Sequence, residues 1–433
     1  MWYNGARYEG RNPSVEKRII GIEEKVPLGQ GIALSVQHVF AMFGASVLVP
    51  IIFGVNPGIV LFMNGVGTLL FIFITKGRAP AYLGSSFAFI APAQAIILTM
   101  GYEYAQGGFV AVGLAGCVLA LIIGKVGTDW IDVVLPPAAM GPVVALIGLE
   151  LASNTVAGGT TGANLLSETT TAGDWVVFLV TIGVAILGSV IFRGFFSVIP
   201  LLIAMLCGYG TAFLFHQVSF EAVMSAKLFQ MPAFQFPKFD MQAILIMLPV
   251  LLVITSEHIG HQLVTSKIVG RDLLKDPGLH RSMLGDDLST ALSGFIGAVP
   301  TTTYGENIGV MAITGVYSVY VIGGAAIISI LMAFIGPLSA LIQTIPGNVI
   351  GGISFLLYGM IGTSGIRLIV DAQVDYGKSR NLILTSVVFV AGLSGLAVDI
   401  GGLKISGMTL ACVVGILLSL IFHLCDKAGI LAD

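Results

Sequence analysis

Two carboxylates and a pair of histidines carry most of the chemistry this sequence can offer. Glu257 stands in the middle of a long apolar run and is followed by His258 and His261. Glu306 stands in a Gly/Thr-rich break, PTTTYGENIG, at 300–309. On a helix Glu257 and His261 share a face at i, i+4, whereas His258 points elsewhere. The block reads Glu-His-x-x-His, which is neither His-Glu-x-x-His nor His-x-x-Glu-His, so zinc hydrolysis is a poor fit and no metal is expected. Cys117, Cys207, Cys412 and Cys425 are scattered singly without metal or redox spacing and read as packing residues. No nucleophile–base arrangement appears, so no enzyme and no cofactor are expected.

The elements that must hold these groups are membrane helices. Of 433 residues, 56% are hydrophobic and 10% charged, far below the roughly 25% charge of a soluble domain. Runs such as 107–124, 176–192 and 318–335 contain no charge at all and approach the ~20 residues that cross hydrocarbon as a helix. They do not alternate, which excludes an outer-membrane barrel. The net charge of −3 gives no reason to expect nucleic acid. Fourteen spans are predicted, near 31–53, 58–75, 80–100, 107–124, 131–152, 175–192, 196–215, 240–266, 285–299, 301–315, 317–335, 338–361, 381–397 and 405–423. The polar, basic first 30 residues have no signal-peptide core and read as a cytoplasmic leader. With that leader inside, 17 of the 20 Lys and Arg fall in inner loops and only Lys227, Lys238 and Lys404 in outer ones. This predicts a multi-pass protein of the cytoplasmic membrane with both termini cytoplasmic.

The chain also repeats itself. Gln37-His38 matches Glu257-His258 at an offset of 220 residues, and at the same offset Pro80 matches Pro300 and Ala81–Phe87 falls on Thr301–Asn307. Two halves of seven spans must insert with opposite orientation, the inverted-repeat plan of many secondary carriers. Short Gly/Pro-interrupted segments in matching positions mark the substrate site in such proteins, and here they are 80–92 and 300–309. Broken backbone at membrane depth must line a cavity or be buried in protein. Half-helix starts at Ser85–Phe87 and Gly305–Asn307 would aim N–H donors into it. Thr301, Thr302 and Thr303 favour extended backbone, so the two breaks are expected to pair as short strands. A charge at the bilayer centre costs at least ~2.5–3.5 kcal/mol, which makes Glu257 and Glu306 functional candidates. His38, matched by repeat to His258, is a further candidate proton relay. Two carboxylates and two helix starts suit a pyrimidine edge, whose N–H and C=O groups alternate. They suit other small polar solutes as well, so the residues alone reach only a small planar or acidic substrate coupled to protons.

At these residues the sequence resembles the nucleobase/ascorbate transporter family and, within it, the bacterial uracil permease branch. The matching blocks are 37–50 (QHVFAMFGASVLVP), 80–92 (PAYLGSSFAFIAP), 135–152 (LPPAAMGPVVALIGLELA), 257–261 (EHIGH), 276–283 (DPGLHRSM) and 302–314 (TTYGENIGVMAIT). The likeness runs from about residue 20 to 424, and the Glu-Asn-x-Gly-x-x-x-x-Thr signature stands as Glu306, Asn307, Gly309 and Thr314. The resemblance implies an all-α polytopic membrane protein of 14 transmembrane segments, a 7+7 inverted repeat with short strands in broken spans 3 and 10. It implies a leader (1–30), core segments 31–125 and 240–336, gate segments 126–216 and 337–424, and a cytoplasmic tail (425–433). Substrate would be held by Glu257 and Glu306 with the amides of Phe87 and Gly305, beside Tyr304, Tyr358 and Ala45. Proton coupling would use His261 with Glu257, Glu306 and His38. Purine and ascorbate members often carry Gln or Pro at the position of Glu306, so uracil is the expected substrate. The alternatives are a purine carrier of the same fold and a passive uracil or anion channel. The implied partners are uracil, protons and lipids. With 56 glycines available for close helix contact, a homodimer through the gate is also expected.

Overall fold

Apolar runs closed by Gly, Pro or polar caps become helices, and the polar caps show where each must stop. In this computed structural model, residues 19–127, 130–156, 162–400 and 403–430 are described. The first half carries α1 (Leu28–Phe53), α2 (Pro57–Ile74), the strand β1 (Leu83–Ser85), α3 (Ile90–Thr99), α4 (Tyr102–Val126), α5 (Pro137–Leu151), α6 (Ala172–Ile191) and α7 (Pro200–Leu214). The second carries α8 (Val250–Val269), α9 (Leu279–Ile296), β2 (Thr301–Thr303), α10 (Gly305–Thr314), α11 (Val319–Ala333), α12 (Gly347–Asp371) and α13 (Ser379–Leu393). The strands β3 (Ala397–Ile400) and β4 (Leu403–Ser406) and the helix α14 (Gly407–Lys427) follow. Caps are local and physical. Asn56 accepts the Gly58 amide at 2.7 Å ahead of α2, and Thr171 and Asp174 form a reciprocal capping box on α6.

The described residues are mostly helical, 72% of them. Among the described residues seven stretches are long and apolar enough to cross a membrane: α1, α2, α4, α6, Met241–Val269, α12 and α14. Helices pack in pairs distant in sequence. α2 lies on α11, α4 on α9 and α5 on α12, while α6 pairs with α7 and α13 with α14. The closest approaches need glycine. A Cβ on Gly113 of α4 would sit 2.6 Å from the Asp287 carbonyl oxygen of α9, and one on Gly365 of α12 would collide with the Ala145 amide of α5.

The two breaks meet as expected. β1 and β2 pair antiparallel in the register Leu83↔Thr303, Gly84↔Thr302 and Ser85↔Thr301. The Tyr304 amide donates to the Tyr82 carbonyl at 2.9 Å and the Ser86 amide to the Pro300 carbonyl at 2.8 Å, so the ladder continues one residue past each end.

Several expectations need correction. The twelfth span, read as 338–361, is split into a short helix Gly336–Gln343 and α12, which begins after Pro346 and runs on to Asp371. The fifth, read as 131–152, is likewise split into Ile131–Val134 and α5, which begins at Pro137. The helix start read at Ser85–Phe87 is absent: the Ser86 amide is taken by the ladder, and α3 begins only at Ile90. The ninth span, read as 285–299, is α9 from Leu279 to Ile296; Arg281, Asp286 and Asp287 diluted its apolar signal, yet both aspartates are only 5% exposed. The eighth span, read as 240–266, is interrupted at Pro249, which lacks the amide a continuous helix needs. The thirteenth, read to 397, stops at Leu393, and Ala397–Ile400 turns back as a hairpin on Leu403–Ser406.

The segment before α1 is tied down. Ile20 donates its amide to the Gly315 carbonyl and accepts from the Tyr317 amide, each at 2.9 Å. Arg271 reaches both Glu23, at 2.6 Å, and Asp276, and Arg78 reaches Asp276 at 2.9 Å. Hydrogen bonds from Arg78 and then Arg271 hold the Asp276 carboxyl below its ordinary range.

Candidate functional site

Three elements converge on one cavity of about 500 Å³. α8 contributes Glu257 and His261, β2 contributes Thr302 and Thr303, and the start of α10 contributes Tyr304, Gly305 and Glu306. α10 can begin there because Tyr304 keeps extended backbone (φ −93°, ψ 124°) and Gly305 opens the helix with no side-chain cap. The first turn of a helix leaves its amides without intrahelical acceptors, so this end presents donors and a partial positive charge. Glu306 lies in that same turn.

Glu257 Oε2 is buried and has no hydrogen-bond partner among the described residues. His261, one turn on, holds Thr303: its Nδ1 lies 2.9 Å from the Thr303 hydroxyl. A Cβ placed on Gly305 would be 3.6 Å from His261 Nε2, so the ring's other nitrogen faces the start of α10. Tyr304 folds its ring over Gly84, where any side chain would collide with it. Its hydroxyl lies 3.5 Å from Ser46 Oγ, which in turn accepts from Asn64 at 3.1 Å.

The opposite wall comes from α5, α7 and α12. On α12 the lining residues Leu357, Met360, Ile361, Ser364 and Arg367 follow helical spacing over roughly 15 Å. Arg367 is 68% exposed, so the cavity runs from the buried carboxylates to water.

Of the expected site residues, Phe87, Glu257, His261, Tyr304, Gly305 and Glu306 share this cavity. Tyr358 stands behind Phe87, ring to ring at 6.2 Å and 79°, and is 1% exposed. His38 is not part of the lining. It is buried, with Asn307 donating to its carbonyl at 3.1 Å and lying 3.1 Å from its Nδ1, so it fixes α10 against α1. The Ala45 side chain lies outside the described residues.

Asp286 was missed as a partner of the site. His258 Nδ1 lies 2.8 Å from Asp286 Oδ2 and Nε2 lies 2.9 Å from the Ser282 hydroxyl, all buried behind Glu257. The one signal available was His258 itself: a histidine facing away from the cavity in a membrane helix needs a polar partner. Among the described residues no group of three or more His, Cys, Asp or Glu could hold a metal.

Residues 29–401 match the profile of the permease family Xan_ur_permease. The chain belongs to this family. The permease is 54% identical over 411 residues to the uracil permease of Escherichia coli K12, covering 94% of this chain and 95% of that one. It is 51% identical over 422 residues to the uracil permease of Paenibacillus larvae (95% and 99% covered). Against the uracil permease of Bacillus subtilis the identity is 45% over 417 residues (94% and 96% covered). These relatives are transporters, and the permease is an integral membrane transporter rather than an enzyme. Its fold is shared with the transmembrane domain of the cyanobacterial bicarbonate transporter BicA, at 17% identity and a TM-score of 0.59, covering 92% of the permease and 99% of that chain. It is also shared with the murine Slc26a9 anion transporter in the inward-facing state, at 10% identity and a TM-score of 0.67, covering 97% and 74%.

Proposed function

We propose that the permease carries uracil together with a proton across the cytoplasmic membrane by alternating access. The observation that carries this reading is the convergence of Glu257 and Glu306 on one cavity beside the uncapped start of α10, in a chain about half identical to uracil permeases. Uracil offers ring N–H groups to the carboxylates and carbonyl oxygens to the amides near Gly305 and Phe87.

The packing supports movement of one body against another. α1–α4 and α8–α11 form the proposed core, α5–α7 and α12–α14 the proposed gate, and the cavity lies between them. Exchanging the two halves converts α2 on α11 into α9 on α4, and α6 on α7 into α13 on α14. Both members of each exchange are present, as an inverted repeat of fourteen spans requires. The predicted loop distribution of basic residues, 17 of 20 on the inner side, supports a cytoplasmic position for Arg367 and the open end of the cavity. Cysteines at Val55 and Lys227 should then label from outside, and at Lys76, Arg193 and Lys275 only from inside. Outside labelling at position 275 would reverse the orientation.

The decisive measurement is uptake of labelled uracil into proteoliposomes with and without an inward proton gradient. Accumulation should require the gradient and saturate with uracil. Flux that ignores the gradient would make the protein a channel. Competition by xanthine or hypoxanthine as strong as by uracil itself would move the substrate to purines.

A further inference from the structure

The three threonines of β2 look alike in sequence but differ in what satisfies them. The Thr301 hydroxyl donates to Ser289 Oγ at 2.7 Å, and the Thr301 backbone is held by Thr290. The Thr303 hydroxyl is engaged by His261. The Thr302 side chain is 3% exposed and lines the cavity, and its Oγ1 has no hydrogen-bond partner among the described residues. Buried hydroxyls are nearly always paired, because leaving one unpaired in a dry site is costly.

Strand geometry accounts for the missing partner. In an antiparallel pair the residue directly opposite is the one whose side chain can answer across the ladder. Opposite Thr302 is Gly84, which has no side chain. The space above Gly84 is filled by the Tyr304 ring, two residues along β2 and therefore on the same face as Thr302.

We propose that the Thr302 hydroxyl is a direct substrate-binding group, donating to one of the two ring carbonyl oxygens of the pyrimidine. This rests on the reading of the cavity as the uracil site. Each ring carbonyl oxygen has two lone pairs, so the amides near Gly305 and Phe87 leave acceptor capacity for a further donor. The unpaired hydroxyl that lines the cavity between the two breaks is placed to use it. Threonine can both donate and accept, and the neighbouring Glu257 Oε2 and Glu306 leave the donor role open.

Calorimetry on the purified full-length permease tests this with uracil, 2-thiouracil and 4-thiouracil, each thio analogue replacing one carbonyl by a weak acceptor. Thr302→Val, which keeps the shape and removes the hydroxyl, should weaken uracil binding by ~5- to 30-fold. Thr302→Ser should stay within about threefold of wild type, as a retained hydroxyl requires. The valine penalty should disappear for one thio analogue and persist for the other, which also identifies the carbonyl. Wild-type uracil affinity in Thr302→Val, or an equal penalty on all three ligands, would overturn the assignment. Should the valine variant not be recovered folded, Thr302→Ala is read on the same three ligands. A wild-type protein that binds no uracil would instead overturn the reading of the cavity.

Discussion

Glu257→Ala and Glu306→Ala should each abolish detectable uracil binding. Both carboxylates face the same cavity, one from α8 and one from the first turn of α10. Glu257 Oε2 is already out of water with no protein partner among the described residues, so its acceptor capacity is available only to what enters the cavity. Removing either acceptor leaves a ring N–H desolvated and unpaired. That costs about 1–3 kcal/mol for a neutral bond, roughly 5- to 150-fold in affinity, and more when the lost partner is a carboxylate. Alanine also frees volume beside the ring and loosens its position. Isothermal calorimetry checks the outcome, with Glu257→Gln and Glu306→Gln as variants that keep shape. Wild-type affinity in either alanine variant would remove that residue from the site.

The second large effect falls on coupling. His261→Leu should lose proton-driven accumulation while retaining most uracil–uracil exchange. His261 lies one helical turn from Glu257, with Nδ1 held by Thr303 and its other nitrogen facing the start of α10. Moving a bare carboxylate through a closed, apolar state costs several kcal/mol, so a proton taken up with uracil lowers the cost of that passage. On the proposed proton-coupled reading, His261 would pass such a proton to Glu257 and take it back. Binding and protonation are then linked, each altering the other's equilibrium. Exchange of labelled for unlabelled uracil needs no net proton movement and is the internal control. Equal loss in both modes, measured in proteoliposomes of known internal pH, would make His261 structural only. Accumulation that survives collapse of the proton gradient without sodium would exclude proton coupling.

The site was legible where the chemistry violates its surroundings. Glu257, His261 and Glu306 stand out because charge and imidazole are expensive in apolar helices, and the Pro/Gly/Thr breaks stand out because they cannot continue a helix. The same logic located the β1–β2 pairing, since extended polar backbone in a membrane must pair with something. Asp286 and Asp287 were not legible, because α9 carries enough polarity to read as a loop edge. Only contact with His258, 28 residues earlier in the chain, shows why such a helix is stable. The start of α3 was misplaced for a related reason. Nothing local says that the Ser86 amide is claimed by a carbonyl in the other half of the chain. Thr302 was hidden among its neighbours, because three identical side chains acquire different fates only from what the fold sets across from each.

The ladder between the breaks also bears on how the protein is made. β1 is synthesised and reaches the membrane long before β2, with more than two hundred residues between Ser85 and Thr301. Until the second half arrives, the Tyr82 carbonyl and the Ser86 amide lack the partners they finally use, and lipid cannot substitute for them. The first half therefore cannot complete its own centre. That stretch can pair only once β2 has been made, so the centre of the molecule closes after the second half has begun to insert.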